Sequence, residues 1–180
     1  GDLKHRLELN FDAEIATLYI NHIVHGLAAI HKLGIIHRDI KPANIMFRGD
    51  DSLALADFGI SKKLTENDDL TAVGQILGTP HYMSPEQGQG KPTDERSDIY
   101  SAGIMYYELL TKVKPYVGNS PSALIYQHIH GKIPELPKIL NQYQPIINKA
   151  MAKDPNDRFQ SADEFIEVLN LAEVGTFNGL

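Results

Sequence analysis

The chain has 180 residues, no cysteine and a formal net charge of -6, and 42% of its residues are hydrophobic. These values suit a single globular domain with a sizeable core. They exclude a disulfide scaffold and thiolate chemistry, and the acidic balance argues against nucleic acid as the main partner.

No apolar segment is long enough to enter a membrane. The longest apolar stretch, residues 102–107, ends at Glu108 and is far too short to cross a bilayer. Residues 1–4 also lack the apolar segment that follows the charged start of a signal peptide. We therefore expect no membrane contact from this segment and a cytoplasmic location, which the absence of cysteine fits.

The first predicted element is a helix that begins at Asp12 and ends before Gly34. Apolar residues recur along it every four positions, which indicates one buried face over roughly five turns. Glycine is favoured just past a helix end, so Gly34 marks the stop. The predicted buried face consists of Ile15, Tyr19, Ile23, Leu27 and Ile30.

A small β-hairpin follows this helix. Residues 45–47 and 53–56 are short apolar runs, and residues 49–52 between them have the composition of a turn. The segment from 59 to 83 is long, polar and without periodicity. A loop of that length inside a compact domain is usually functional.

The second half of the chain is predicted to be helical. Ser84 begins a helix with proline at its first position, and residues 97–110 are apolar almost all round, which predicts a central buried helix. Ser120 caps a helix to about residue 130, another spans about 141–152, and Ser161 with Glu164 forms a capping box for the last. The predicted fold is α+β, mainly α, as one domain over residues 1–180.

The strongest chemical signal lies in residues 37–44, His-Arg-Asp-Ile-Lys-Pro-Ala-Asn, followed thirteen residues later by Asp57-Phe58-Gly59. A hairpin between the two segments brings both to one edge, where Asp39, Lys41 and Asn44 converge with Asp57. This set supplies a carboxylate to orient a nucleophile, a cation, and oxygen ligands for a hard divalent ion. Phosphoryl transfer needs these groups, because its catalysis is mostly positioning and charge neutralisation.

These segments resemble the catalytic loop and metal-binding turn of the protein kinase family. The resemblance continues in order through Ser84-Pro85-Glu86 and residues 98–103 to Arg158, and so covers nearly the whole chain. Lys41, two residues after the aspartate, is typical of serine/threonine kinases. Residues 78–87 look most like bacterial members. The resemblance implies a C-terminal kinase lobe that carries its catalytic loop beside the hairpin.

The resemblance also implies roles for individual residues. Asp39 accepts or orients the proton of the substrate hydroxyl, and Lys41 steadies the γ-phosphate of ATP. Asn44 and Asp57 hold magnesium, with manganese as an alternative ion. Thr79 bonds to Asp39 and Lys41 and shapes the site for the protein substrate.

Other matches imply regulation and structural support. Arg38, beside the catalytic aspartate, is expected to pair with a phosphate on the activation segment. Thr71 is the first candidate for that phosphate, and Thr65 is the second. His37 and Phe58 are expected to stack in a hydrophobic spine. Asp98 is expected to accept hydrogen bonds from the catalytic loop, and Glu86 and Arg158 are expected to form a buried ion pair.

Several parts of a complete kinase have no counterpart in these 180 residues. A glycine-rich loop, a strand lysine and a helix glutamate must precede the catalytic loop by a long stretch, and only 36 residues precede His37. We therefore expect that the N-terminal lobe is absent from this chain, that the chain alone has no useful activity, and that the missing lobe or a covering partner packs against the apolar surface around Phe58.

Alternative interpretations remain at this point. A truncated pseudokinase that only binds proteins is one alternative, but it has no need of Asp39, Asn44 and Asp57 together. A small-molecule phosphotransferase is another, but it normally lacks the segment that ends at Glu86. His22 and His25, three apart on a helix, are more often a solvated or core pair than metal ligands. Lys112 stands where the family often has a glycine, and a positive φ there costs about 1 kcal/mol.

Overall fold

The computed structural model describes residues 2–6, 11–48, 53–56 and 80–173. Within these ranges the chain forms seven α-helices and one two-stranded sheet, which confirms the predicted fold class. The α-helices are α1 (Leu3–Arg6), α2 (Ala13–His31), α3 (Pro85–Gly88), α4 (Glu95–Thr111), α5 (Pro121–His130), α6 (Gln144–Ala150) and α7 (Ala162–Glu173). Short 3₁₀ helices span Pro42–Asn44, Lys138–Tyr143 and Pro155–Asp157.

Helix α4 forms the centre of the molecule, as its apolar sequence predicts. Every residue from Ser97 to Leu110 is buried, and the helix packs against α2 and α6. It begins at Glu95, two residues earlier than the apolar run, because the Asp94 side chain accepts the backbone N–H of Arg96 and caps it. The hydrophobic core is therefore built around helix α4, and the other described elements pack around this helix.

The apolar face predicted for α2 is partly wrong. Asp12 caps the helix as expected, but Ile15 is 38% exposed, whereas Ala16 and Ile20 are fully buried. Successive residues of an α-helix are about 100° apart, so positions four apart drift by about 40° at each step. A strict four-residue repeat therefore leaves the buried face within a few turns, and of the five predicted residues only the later three, Ile23, Leu27 and Ile30, lie in the core.

The hairpin has the predicted position. Strand β1 (Ile45–Phe47) pairs antiparallel with β2 (Leu53–Leu55), and Met46 lies opposite Ala54. The 3₁₀ helix Pro42–Asn44 leads directly into β1, and the N–H of Ala56 donates to the carbonyl of Asn44 at 2.8 Å. The sheet therefore brings Asn44, at the end of the segment of residues 37–44, next to Ala56, which follows β2.

Two details of the C-terminal half differ from the predictions. The helix predicted near residues 141–152 is a 3₁₀ helix followed by α6, because Pro145 lacks an N–H and suits only the first turn of an α-helix. Ser161 accepts the N–H of Glu164 at 3.1 Å, but the carboxylate of Glu164 accepts from Gln160 rather than completing a capping box with Ser161. Helix α5 has the predicted bounds, with Ser120 as its cap.

Among the described helices, none combines the length and the apolar character needed to cross a membrane.

Candidate active site

The loop that begins at His37 is fixed by a buried carboxylate in the first turn of α4. Asp98 is 1% exposed and accepts the N–H of His37 at 2.9 Å and the N–H of Arg38 at 2.8 Å. The ring of His31, at the end of α2, contacts the same carboxylate at 2.8 Å. Three donors thus converge on Asp98, and they hold the loop against both central helices.

Arg38 adopts a backbone conformation that is unusual for a residue with a side chain. Its φ is 65°, in the left-handed region, which costs about 1–2 kcal/mol. The hydrogen bond from its N–H to buried Asp98 stabilises this conformation. Strained residues of this kind cluster at functional sites, and no feature of the sequence predicts the strain here.

Three of the predicted site residues meet at one carboxylate oxygen. Lys41 Nζ lies 2.7 Å from Asp39 Oδ2, and Asn44 Nδ2 lies 3.0 Å from the same oxygen. Asn44 Nδ2 also donates to the backbone carbonyl of Asp39 at 2.8 Å. Asn44 is buried, whereas the side chains of Asp39 and Lys41 are 51% and 39% exposed. The site thus combines one buried amide group with two charged groups that are exposed to solvent.

His37 connects this loop to the hairpin. Its buried ring accepts the N–H of Asp39 at Nδ1, 3.3 Å away, and contacts the carbonyl of Ala56 through Nε2 at 3.2 Å. A neutral imidazole whose Nδ1 accepts carries its proton on Nε2, so Nε2 donates to Ala56. The ring therefore joins the residue that precedes Asp57 to the loop that carries Asp39.

The predicted ion pair between residues 86 and 158 is present and buried. Arg158 donates to both carboxylate oxygens of Glu86, at 2.7 and 2.8 Å, and Ser97 donates to Glu86 at 2.5 Å. Burial alone would raise the pKa of Glu86, but the hydrogen bonds from Arg158 and Ser97 outweigh it and lower the pKa. The ion pair therefore fixes helix α3, which contains Glu86, to the C-terminal part of the fold.

Comparison with known proteins agrees with this geometry. The family model described as protein kinase domain matches residues 1–169. The chain is 39% identical over 168 residues to a probable serine/threonine-protein kinase of Corynebacterium efficiens, which covers 88% of this chain and 25% of that protein. It is 41% identical over 138 residues to the serine/threonine-protein kinase PknB of Mycobacterium leprae, covering 74% of this chain and 22% of that protein.

The chain belongs to the protein kinase family. A further relative, a probable serine/threonine-protein kinase of Clostridium perfringens, is 43% identical over 150 residues, which make up 80% of this chain and 22% of that protein. The expected likeness to bacterial members is confirmed, since these relatives are bacterial. The chain spans about a quarter of the length of the curated relatives it matches.

Five of the residues that the kinase resemblance singles out lie outside the described ranges. They are Asp57, Phe58, Thr65, Thr71 and Thr79. Their roles stay predictions, as do the catalytic and metal-binding roles of Asp39, Lys41 and Asn44.

The residues present fit the cation that a kinase site requires. Both hydrogen bonds of the Asn44 side chain are donated by its nitrogen, and no described residue donates to its carbonyl oxygen. That oxygen is a hard ligand of the kind magnesium prefers. Magnesium and ATP would therefore be held by Asn44 and Lys41, with Asp57 as the predicted second magnesium ligand.

Two contacts made by the segment of residues 82–87 were not expected from the sequence. Gln87 donates through Nε2 to the carbonyl of Arg38 at 2.9 Å, which connects helix α3 to the loop of residues 37–44. Tyr82 donates to buried Glu108 at 2.5 Å, and Lys114 contacts the other oxygen of that carboxylate at 2.8 Å. Burial and the nearby Glu108 raise the pKa of Tyr82, so its hydroxyl remains a donor. The only sequence signal was the position of Gln87 and Tyr82 beside Ser84.

Proposed function

We propose that this chain is the catalytic, substrate-binding lobe of a serine/threonine protein kinase, which transfers the γ-phosphate of ATP to protein serine and threonine hydroxyls. The observation that carries the proposal is the convergence of Lys41 and Asn44 on one oxygen of Asp39, at 2.7 and 3.0 Å. Phosphoryl transfer is catalysed mainly by positioning and electrostatic stabilisation, and these three groups supply both.

In this proposal each residue has a distinct task. The half-exposed carboxylate of Asp39 orients the substrate hydroxyl and accepts its proton. Lys41, already within hydrogen-bond distance of that carboxylate, steadies the transferred phosphoryl oxygens. Asn44 fixes the orientation of Asp39 through two hydrogen bonds and presents its own carbonyl oxygen to magnesium. Bound ATP supplies the phosphoryl group, and magnesium neutralises its oxygen charge.

We further propose that residues 1–180 act together with an N-terminal lobe or a covering partner, and that they are inactive alone. Two exposed apolar residues that lie close in sequence to the proposed site residues support this proposal: Met46 on β1 is 40% exposed, and Ile35, four residues before Asp39, is 39% exposed. Exposed apolar surface next to a site favours a covering partner. We place the activity in the cytoplasm, where ATP is available.

Phosphorylation of the activation segment is the proposed control. Arg38 supports it, because its side chain is exposed and no described residue accepts a hydrogen bond from its guanidinium group. A phosphate on Thr71, or second on Thr65, would pair with this guanidinium and order the segment. Mass spectrometry of the active full-length protein tests the proposal, and finding neither threonine phosphorylated would refute it.

The activity itself is tested with the full-length protein that contains this chain. We expect magnesium-dependent transfer of labelled phosphate from ATP to a protein substrate, recovered as phosphoserine or phosphothreonine. Asp39→Asn should lower the rate by at least about 100-fold, because it removes the proton acceptor. Asp163→Asn is the matched control, since that carboxylate is 57% exposed and pairs only with exposed Lys32 among the described residues.

Either of two results would contradict this function. Transfer that survives Asp39→Asn would place the chemistry elsewhere, and a full-length protein that is folded yet transfers no phosphate would favour a protein-binding module. Activity of the purified 180-residue chain would refute the proposed need for a covering lobe.

A further inference from the structure

The side-chain amide of Gln87 makes a separate hydrogen bond through each of its two polar atoms. Its Oε1 accepts the N–H of Ser84 at 2.9 Å, and its Nε2 donates to the carbonyl of Arg38 at 2.9 Å. Both partners are backbone groups of fixed polarity, so a flipped amide would place two donors together at Ser84 and two acceptors together at Arg38. The two contacts therefore fix one orientation of the amide.

Only one of these two contacts serves the cap of helix α3. The oxygen of Gln87 completes a capping box with Ser84, whose hydroxyl accepts the N–H of Gln87 at 3.3 Å. A glutamate at the same position completes a capping box equally well. The carbonyl of Arg38, in contrast, requires a donor, which an amide supplies and an ionised carboxylate does not. The presence of glutamine thus points to a task beyond the helix cap.

The carbonyl that Gln87 binds belongs to the peptide group directly before Asp39. The N–H of this peptide group donates to Nδ1 of His37 at 3.3 Å, so both of its polar atoms are bound. Arg38 has a φ of 65°, and its own N–H donates to Asp98. That bond fixes the peptide group before Arg38 but leaves rotation about the ψ angle of Arg38, which would turn the next peptide group and move Asp39. Gln87 and His37 restrict this rotation from opposite sides of the peptide group.

Helix α3 is itself held in place, so it can support the loop. Glu86, next to Gln87, is buried and pairs with Arg158 in the C-terminal part of the fold. Ser97 of α4 also donates to Glu86. A functional group is held most precisely when its supporting residues are fixed by packing and hydrogen bonds of their own. Gln87 therefore links the loop to an element that the core holds in place.

From this arrangement we propose that Gln87 is a positioning residue for phosphoryl transfer, which acts by fixing the peptide group before Asp39. In this role it acts through Asp39 and not by contact with ATP or the protein substrate. Its second hydrogen bond, to Ser84, connects the direction of the Asp39 side chain to the placement of helix α3. Catalysis by positioning is sensitive to displacements of about 1 Å, so loss of this support should slow the chemical step. The inference rests on the proposed function of Asp39.

The test compares variants of Gln87 in the full-length protein by steady-state phosphoryl transfer. Gln87→Glu keeps the oxygen that accepts from Ser84 and places a charged acceptor, in place of the donor, opposite the carbonyl of Arg38. We expect it to lower kcat by about tenfold, with the KM values for ATP and for the protein substrate within about twofold of wild type. Gln87→Met is uncharged and loses both contacts, and it should lower kcat by about threefold or more.

Gln89→Glu is the matched control, because Gln89 is exposed, follows helix α3 directly and undergoes the same change of charge. It should leave kcat within about twofold of wild type, which separates the lost donor from the added charge. Urea unfolding should give the same midpoint for Gln87→Glu as for wild type, because a glutamate at this position retains the capping box.

Amide hydrogen exchange gives a second measurement that does not depend on activity. It is followed by mass spectrometry of the peptic fragment that contains residues 37–44. We expect this fragment to exchange faster in Gln87→Glu and Gln87→Met than in wild type and Gln89→Glu, because the backbone before Asp39 has lost a hydrogen-bond donor.

The proposal is overturned if Gln87→Glu keeps the wild-type kcat, if it changes KM alone, or if Gln89→Glu lowers kcat to the same extent. It is also overturned if exchange of residues 37–44 is the same in all variants. A folded wild-type protein that transfers no phosphate would instead contradict the proposed function, and the exchange measurement would still decide whether Gln87 supports the loop.

Discussion

The buried Arg158–Glu86 pair and the exposed Lys41–Asp39 pair of this chain have similar distances and opposite surroundings. Arg158 and Glu86 meet at 2.7 Å with side chains 0% and 8% exposed, whereas Lys41 and Asp39 meet at 2.7 Å with 39% and 51% exposed. In the first pair every group is satisfied by protein neighbours, and in the second the charged groups face solvent. An ion pair of the same length can therefore hold a fold together in one place and remain available to a ligand in another.

The largest expected effect is on the buried pair. Arg158→Met should lower the free energy of unfolding by about 3–5 kcal/mol, because it leaves the Glu86 carboxylate buried without its counter-charge. The equivalent change in an exposed pair, Lys32→Met opposite Asp163, should cost less than about 1 kcal/mol. Urea unfolding of the purified proteins measures both, and equal losses would erase the contrast between buried and exposed pairs.

The second-largest expected effect on stability concerns His128, which is fully buried. Its Nδ1 lies 3.0 Å from the hydroxyl of Tyr100, and burial, together with Lys153 and His81, lowers its pKa from 6.5 to about 4. The unfolded chain therefore binds a proton at a higher pH than the folded chain does. Stability from this histidine is present above pH 6.5, falls as the pH drops from 6.5 to about 4, and changes no further below that.

The loss over this interval should reach about 3 kcal/mol, since each pKa unit corresponds to about 1.4 kcal/mol. Unfolding free energies of wild type and His128→Gln, measured across the interval, isolate the contribution because the variant cannot titrate there. A constant difference between the two proteins at every pH would show that His128 is not held neutral by the fold.

A smaller effect on the free energy of unfolding is expected at Lys112, which like Arg38 has a positive φ. Lys112, at the end of α4, has a φ of 64°, close to the 65° of Arg38, so it adopts the positive φ whose cost was considered from the sequence. Lys112→Gly should raise the free energy of unfolding by about 1 kcal/mol, because glycine adopts this conformation without strain. Lys132→Gly, at a non-helical position without positive φ, is the control and should give no gain. Thermal unfolding that ranks the two variants equally would argue against strain at Lys112.

The smallest expected effect on stability is at Asp39. Its exposed carboxylate contacts only neighbours of its own loop within the described residues, so Asp39→Asn should change the free energy of unfolding by less than about 0.5 kcal/mol. Urea unfolding of the variant beside Arg158→Met provides the comparison. A loss similar to that of Arg158→Met would mean that Asp39 belongs to the scaffold.

Local features of the sequence predicted much of the fold and the described part of the site. The bounds of α5 follow from Ser120 and its proline, and the meeting of Asp39 with Asn44 follows because the two residues are only five apart in one tight loop. The Glu86–Arg158 pair was expected only by resemblance to a family, because the two residues lie 72 positions apart.

Other features depend on packing that no local pattern encodes. The positive φ of Arg38 is stabilised by its hydrogen bond to Asp98, 60 residues away in sequence. The hydrogen bond between Tyr82 and Glu108 likewise joins residues 26 positions apart. The misassigned face of α2 arose because Ile15 fits the apolar repeat but lies where none of the described elements covers it completely. Sequence patterns identify which side chains are apolar, and tertiary packing decides which of them are buried.

Whether Asp39 and Lys41 act together on phosphoryl transfer is tested by a double-mutant cycle in the full-length protein, with Asp39→Asn, Lys41→Ala and the two combined. Groups that touch at 2.7 Å and act on one phosphoryl transfer should be coupled by about 0.5–3 kcal/mol, so the double variant should lose less than the sum of the single losses. Strictly additive losses, or a wild-type rate retained in Asp39→Asn, would contradict a catalytic centre built on this oxygen.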